Sequence, residues 1–159
     1  MPRFITRIEI PTDVREKMTT LLNQQLADTF DLYTQTKQAH WTVHGKQFHA
    51  LHTFFDEFAA QLSGYSDDLA ERVAIMGGEP RGTARMIAAQ SRLDEFPLEM
   101  KDGMDYVTAL ANRTAKLTQS TRRAIDAASE YGDETTADLF TEITRGLDKS
   151  LWFLEGHLR

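Results

Sequence analysis

GGEPRGTARMIAAQSRLDEFPLEM, residues 77–100, separates two long runs of helix-forming sequence and is too long to be a simple turn. It opens on Gly77–Gly78, Pro80 and Gly82 and carries Pro97 near its end, so no long helix passes through it. Inside it, ARMIAAQS has no breaker and predicts a short helix over Ala84 to Ser91. Upstream, Leu51, Phe55, Phe58, Leu62, Leu69 and Val73 recur at helical spacing, predicting a helix from Phe48 to Met76. Before that helix, HGKQ (residues 44–47) is a short polar break. The first helix is expected to run from just after Pro11, with Thr12 as its N-cap, to about Val43. Its apolar positions are Val14, Met18, Leu21, Leu22, Leu26, Phe30 and Tyr33. Downstream, Met104, Val107, Leu110 and Leu117 mark a helix from Met100 to Ala128. After a turn at residues 131–133, Ala137, Phe140, Ile143, Leu147, Leu151 and Leu154 mark the last helix, Glu134 to Gly156.

Short, long, short is thus the order of the connections, and no strand is expected. Short links make antiparallel pairs, and a long middle link lets the chain cross from one end of a bundle to the other. The fold class is all-α, a four-helix bundle with one long crossover, as in ferritin-like bundles. The 159 residues are expected to form a single domain, with residues 1–11 as an N-terminal tail and 77–100 as the crossover.

Composition narrows the chemistry. Cysteine is absent, which excludes disulfides, thiolate metal sites and thiol nucleophiles. Lys plus Arg number 18 against 24 Asp plus Glu, a net charge of −6, which ill suits a surface that grips nucleic acid. The opening MPRFITRIEIPTD has no apolar secretory core, and no window is apolar enough to span a membrane. A cytoplasmic protein without a membrane partner is expected.

The histidines cluster: His40, His44, His49 and His52 lie close together, while His157 stands apart at a helix end, where a cation suits the dipole. His44 and His49 read as surface residues. Trp41 and Trp152 read as packing residues, and Met76, Met86, Met100 and Met104 as core or interface filler. On the second helix, His52 and Asp56 are spaced i, i+4 and share a face, as do Asp67 and Glu71. Asp56 and Asp67 are about three full turns apart, so the two pairs face the same way, roughly 16 Å from each other. That distance is too great for one ion. A second copy of the helix, antiparallel across a two-fold axis near Gln61–Leu62, would bring one chain's His52 and Asp56 to the other's Asp67 and Glu71. Ala59, Ala60, Ser63 and Gly64 are small enough there for close approach. His40, near the end of the first helix, is a candidate third ligand. Imidazole with carboxylate suits iron, manganese or zinc, iron above all where open positions serve redox chemistry. No Glu is followed three residues later by His, so a metal site inside a single bundle is disfavoured. Spacing alone leaves open a polar helix interface held by ordinary salt bridges.

HWTVHGKQFHALHTFFDEFAAQLSGYSDDLAERVAIMGGEP, residues 40–80, resembles the Dps family, the mini-ferritins of starved bacteria. The likeness rests on HW-x-V-x-G-x-x-F-x-x-LH-x-x-FDE and D-x-x-AER, and extends to the C-terminal LDKSLWFLEGHL. The resemblance implies a hollow homo-oligomeric shell, a dodecamer, with ferroxidase sites at its two-fold interfaces. Its implied iron ligands are His40, His52 and Asp56 from one subunit with Asp67 and Glu71 of the partner subunit; zinc or manganese are possible substitutes. The implied reaction oxidises Fe(II), preferably with hydrogen peroxide and otherwise with dioxygen, and stores ferric mineral, which protects DNA from hydroxyl radicals. An acidic iron-entry pore on the three-fold axes is implied at Glu130, Asp133 and Asp138.

The alternative is a nucleoid-associated DNA-binding protein with secondary metal chemistry. The tail has Arg3 and Arg7 against Glu9 and no lysine, so direct DNA binding is expected to be weak or absent.

Overall fold

The structure, a computed structural model, describes residues 5–159, so Arg3 of the tail lies outside the described residues. Five helices follow one another: α1 (Thr12–Thr42), α2 (Phe48–Ile75), α3 (Ala84–Gln90), α4 (Gly103–Glu130) and α5 (Glu134–Gly156). Among the described residues there is no strand. α1 packs chiefly against α2, and α4 against α5, with α1 also meeting α3 and α4.

Polar contacts fix the direction of each helix. The Tyr106 hydroxyl near the start of α4 donates to the Thr42 carbonyl at the end of α1 (2.9 Å). Further along, Gln25 of α1 donates to the Ser120 carbonyl of α4 (3.3 Å). α1 and α4 are therefore antiparallel. α2 also starts at the end of α1, so α2 and α4 run the same way. The link between them must then travel the length of a 28-residue helix, about 42 Å. The long connection at residues 77–100 is the geometric consequence.

That link is clamped along its path. Asp28, buried on α1, accepts from the Arg92 backbone N–H (2.7 Å) and from Arg92 Nε (2.9 Å). Arg113 of α4 donates to the carbonyls of Asp94 (3.2 Å) and Glu95 (2.5 Å) and lies over the Phe96 ring. Charge-assisted bonds to buried groups are the strong kind, and leaving one partner alone would cost several times a neutral bond.

The core forms where the apolar periodicity places it. Leu22, Leu26 and Leu32 of α1 meet Leu51, Phe55, Phe58, Leu62 and Leu69 of α2, together with Val107, Leu110, Leu117, Phe140, Ile143 and Leu147. Phe55, Phe58 and Phe140 are the largest fully buried side chains, each worth about 3–5 kcal/mol against truncation to alanine.

Three expectations change at the ends of elements. Pro11 rather than Thr12 is the N-cap of α1, and the Thr12 hydroxyl accepts from Arg15 (3.0 Å) as the first helical residue. α4 begins at Gly103 instead of Met100, because the Asp102 carboxylate caps it by accepting from the Met104 N–H (2.7 Å). Trp41 and Trp152 do not pack into the bundle; both are exposed on the single chain, as is Met86, whereas Met76 is buried. The tail just before α1 is held by Arg15, which donates to the Ile10 carbonyl (3.0 Å) and across to the Met76 carbonyl at the end of α2 (3.2 Å).

Candidate metal centre

The α1–α2 turn brings His40 and His52 face to face. It is only a few residues long and uses Gly45 in the left-handed region (φ 102°), where a Cβ would be strained. His40 therefore lies in the last turn of α1, and His52 in the second turn of α2, at one level of the antiparallel pair. Their rings stack with centroids 3.8 Å apart, and Phe48 lies against His52 at 5.2 Å.

Each imidazole is held by the other residue's backbone. His40 Nδ1 bonds to the His52 carbonyl oxygen (2.7 Å), and His52 Nδ1 bonds to the His40 carbonyl oxygen (2.8 Å). A carbonyl oxygen can only accept, so both Nδ1 atoms must carry protons. In the neutral imidazoles both Nε2 atoms are then bare lone pairs. This is the tautomer a metal-binding histidine needs, fixed by a backbone partner in the way such ligands are commonly oriented.

Asp56, one turn beyond His52 on α2, lies beside His40. Its Oδ1 lies 3.8 Å from His40 Nε2. Two ligands of one ion at about 2.1 Å each stand roughly 3–4 Å apart, so this spacing fits a shared cation. The His40 side chain is 13% exposed and that of Asp56 57%, so the imidazole is shielded while the carboxylate looks outward. Imidazole nitrogen beside carboxylate oxygen is donor chemistry that fits Fe(II), and equally Zn(II) or Mn(II).

Asp67 and Glu71 are exposed, further along α2. The single chain does not bring them to the histidines. Among the described residues, no group of three or more His, Asp or Glu side chains is gathered closely enough within one chain to hold a metal ion.

One charged neighbour was missed in the sequence. Lys37 Nζ lies 2.7 Å from Asp56 Oδ1 and 5.7 Å from the centre of the Trp41 ring. Its signal was present: Lys37 precedes His40 by three residues on a helix and so shares its face. The hydrogen bond from Lys37, reinforced by that ammonium's charge and by the charge the two histidines carry when protonated, pulls the Asp56 carboxyl below its ordinary value against an opposing effect of desolvation. Because the folded value is the lowered one, any stabilisation from this pair is present above the unfolded value and lost as pH falls through the folded one.

His44 and His49 are exposed, as expected. His44 sits against backbone carbonyls of Thr42 (3.2 Å) and Lys101 (3.3 Å), bracing the turn. His157 bonds to the Phe153 carbonyl (2.8 Å) and stacks on Phe54.

Of the acidic residues near the α4–α5 turn, Glu130 and Asp138 are exposed. Asp133 is not. It is 3% exposed, accepts from the Thr136 N–H (3.0 Å) and hydroxyl (2.5 Å) as the N-cap of α5, and pairs with Arg72 of α2 (3.2 Å). Its carboxylate is committed to capping and to tying α5 to α2, which corrects its expected place in a pore lining. A turn-region aspartate followed three residues later by Thr136 at the start of an apolar helix is an N-cap signal, and that signal outweighs the reading as a pore acid.

The family model for the ferritin-like domain matches residues 19–159. The chain is 40% identical over 154 residues to the DNA protection during starvation protein of Agrobacterium fabrum, covering 97% of this chain and 95% of that one. Among solved structures it is similar to DpsA14 from Streptomyces coelicolor, with a TM-score of 0.94, 28% identity, and 100% and 94% of the two chains covered. It is also similar to a Dps protein from Vibrio cholerae O1 described as a member of a broad superfamily of ferritin-like diiron-carboxylate proteins, with a TM-score of 0.90, 27% identity and 98% of each chain covered. The chain belongs to the ferritin-like domain family and, within it, to the Dps mini-ferritins.

Proposed function

We propose that the chain is a ferroxidase and iron store whose sites form between subunits, from His40, His52 and Asp56 of one chain with Asp67 and Glu71 of the partner subunit. The observation that carries this reading is the crossed pair of backbone bonds at His40 and His52, which leaves both Nε2 lone pairs free, that of His40 3.8 Å from the Asp56 carboxylate. Two-fold pairing of α2 supplies the remaining carboxylates, and the exposed Ala60, Ser63 and Gly64 leave room for it. A Cβ built on Gly64 meets nothing within 4 Å, so that face is open on the single chain.

Iron is the substrate and the cargo. Hard anionic carboxylates stabilise Fe(III) more than Fe(II), which favours oxidation where they converge. Two Fe(II) ions each give up one electron, the O–O bond of one hydrogen peroxide breaks, and two protons complete two waters. Dioxygen is the slower alternative oxidant. The ferric product is stored as mineral inside a shell of about twelve subunits. Consuming iron and peroxide together denies DNA damage its reagents, a protection that needs no contact with DNA. The net charge of −6 per chain opposes such contact. The setting of this reading is the cytoplasm. Among the described residues no helix is long and apolar enough to cross a membrane.

The test is size exclusion after addition of Fe(II) and hydrogen peroxide. Ferric absorbance is expected to co-elute with a particle of about twelve subunits. A small protein species with precipitated iron would reject the storage reading and bring the DNA-binding alternative forward.

Iron entry is assigned to Glu130 and Asp138, whose exposed carboxylates would ring a three-fold opening and focus cations. Glu130→Gln with Asp138→Asn is expected to slow initial Fe(II) uptake several-fold at low salt, with the difference shrinking as salt rises. Equal uptake rates at low salt would remove the assignment.

A further inference from the structure

The cation nearest the candidate ligands belongs to the protein itself. The Lys37 ammonium sits 2.7 Å from Asp56 Oδ1, the same oxygen that lies 3.8 Å from His40 Nε2. An ammonium has three donors and no lone pair, so it cannot join a metal's ligand shell. It can only share the carboxylate with the metal or leave it.

Sharing is unfavourable. An ion bonded to that oxygen at about 2.1 Å would have the ammonium within roughly 5 Å, a single and a double positive charge at short range. On the single chain the Asp56 side chain is 57% exposed and that of Lys37 22%, so the pair is not sealed before two subunits meet, and such pairs hold weakly. Lys37 also has somewhere to go, since the Trp41 ring face, 5.7 Å away, can receive a cation.

We infer that Lys37 is a resident counter-ion that occupies the metal's place on Asp56 and must withdraw before the metal binds, so that it weakens metal binding and sets the metal concentration at which the site fills. The inference rests on the ferroxidase-site reading above and concerns the tuning of that site. It makes a directional claim that distinguishes it from a supporting role. A lysine that merely aimed Asp56 at His40 would strengthen binding, and its loss would weaken it. A competing lysine has the opposite sign.

Zinc is the probe, because it fits the same nitrogen and oxygen donors and undergoes no redox change. Zinc chloride is titrated calorimetrically into the assembled whole chain, its Lys37→Gln and Lys37→Arg variants, and a His40→Ala variant that identifies the heat belonging to the site. Lys37→Gln is expected to bind zinc roughly tenfold more tightly, the order of magnitude for removing one positive charge at this range. Lys37→Arg, which keeps the charge and can hold the carboxylate with two donors, is expected to bind zinc no more tightly than the parent. Unchanged or weaker binding in Lys37→Gln, with His40→Ala still abolishing the heat, would overturn the role of Lys37 and leave the site standing. Zinc heat that His40→Ala does not alter would overturn both.

Discussion

Replacing His52 by alanine is expected to lower the initial rate of peroxide-driven Fe(II) oxidation at least about a hundredfold, because a direct ligand is lost where even an outer partner is worth 10–100-fold. The substitution acts twice. It deletes one Nε2 lone pair, and it removes the ring that stacks on His40 at 3.8 Å. The second ligand is loosened together with the first. The bond from His52 Nδ1 to the His40 carbonyl is lost, but the His52 carbonyl remains and still accepts from His40 Nδ1, so one half of the backbone crossing is kept. His52 is only partly buried, and Leu51 and Phe55 hold that part of α2 in the core, so the bundle and the shell are expected to survive. Stopped-flow absorbance of the ferric product measures the rate, and size exclusion checks the assembly. An intact shell oxidising iron within about twofold of the parent would remove His52 from the site.

Much of this was legible in the residues, and the reasons are specific. The helices were readable because apolar side chains recur at the helical period and glycine and proline cluster only between them. α5 has the boundaries expected, since the turn before it and Gly156 at its end punctuate both sides. The pairing of His52 with Asp56, and of Asp67 with Glu71, followed from helix geometry alone. What the sequence concealed was contact between elements. Nothing in the spacing of His40 and His52 shows that each ring would bond to the other's carbonyl, because that depends on how the α1–α2 turn sets the two helices in register. Lys37 was overlooked because its importance comes from Asp56 on another helix. Asp133 was misread for a related reason. Its partner Arg72 lies on α2, and a carboxylate in a turn looks solvent-exposed until that helix is placed beside it.

The central claim is that each site is divided between two subunits, and mixed shells test it. One chain carries His52→Ala with Asp56→Ala, the other Asp67→Ala with Glu71→Ala, and each alone is expected to be inactive. In a two-fold dimer of one chain of each kind, one site has both halves damaged and the other has both halves intact. With equal amounts and random pairing, half of the dimers are mixed and half of their sites are whole, so co-assembled shells are expected to recover about a quarter of parental ferroxidase activity. Mixed shells of normal size with no activity would place all the ligands within one chain and contradict the account.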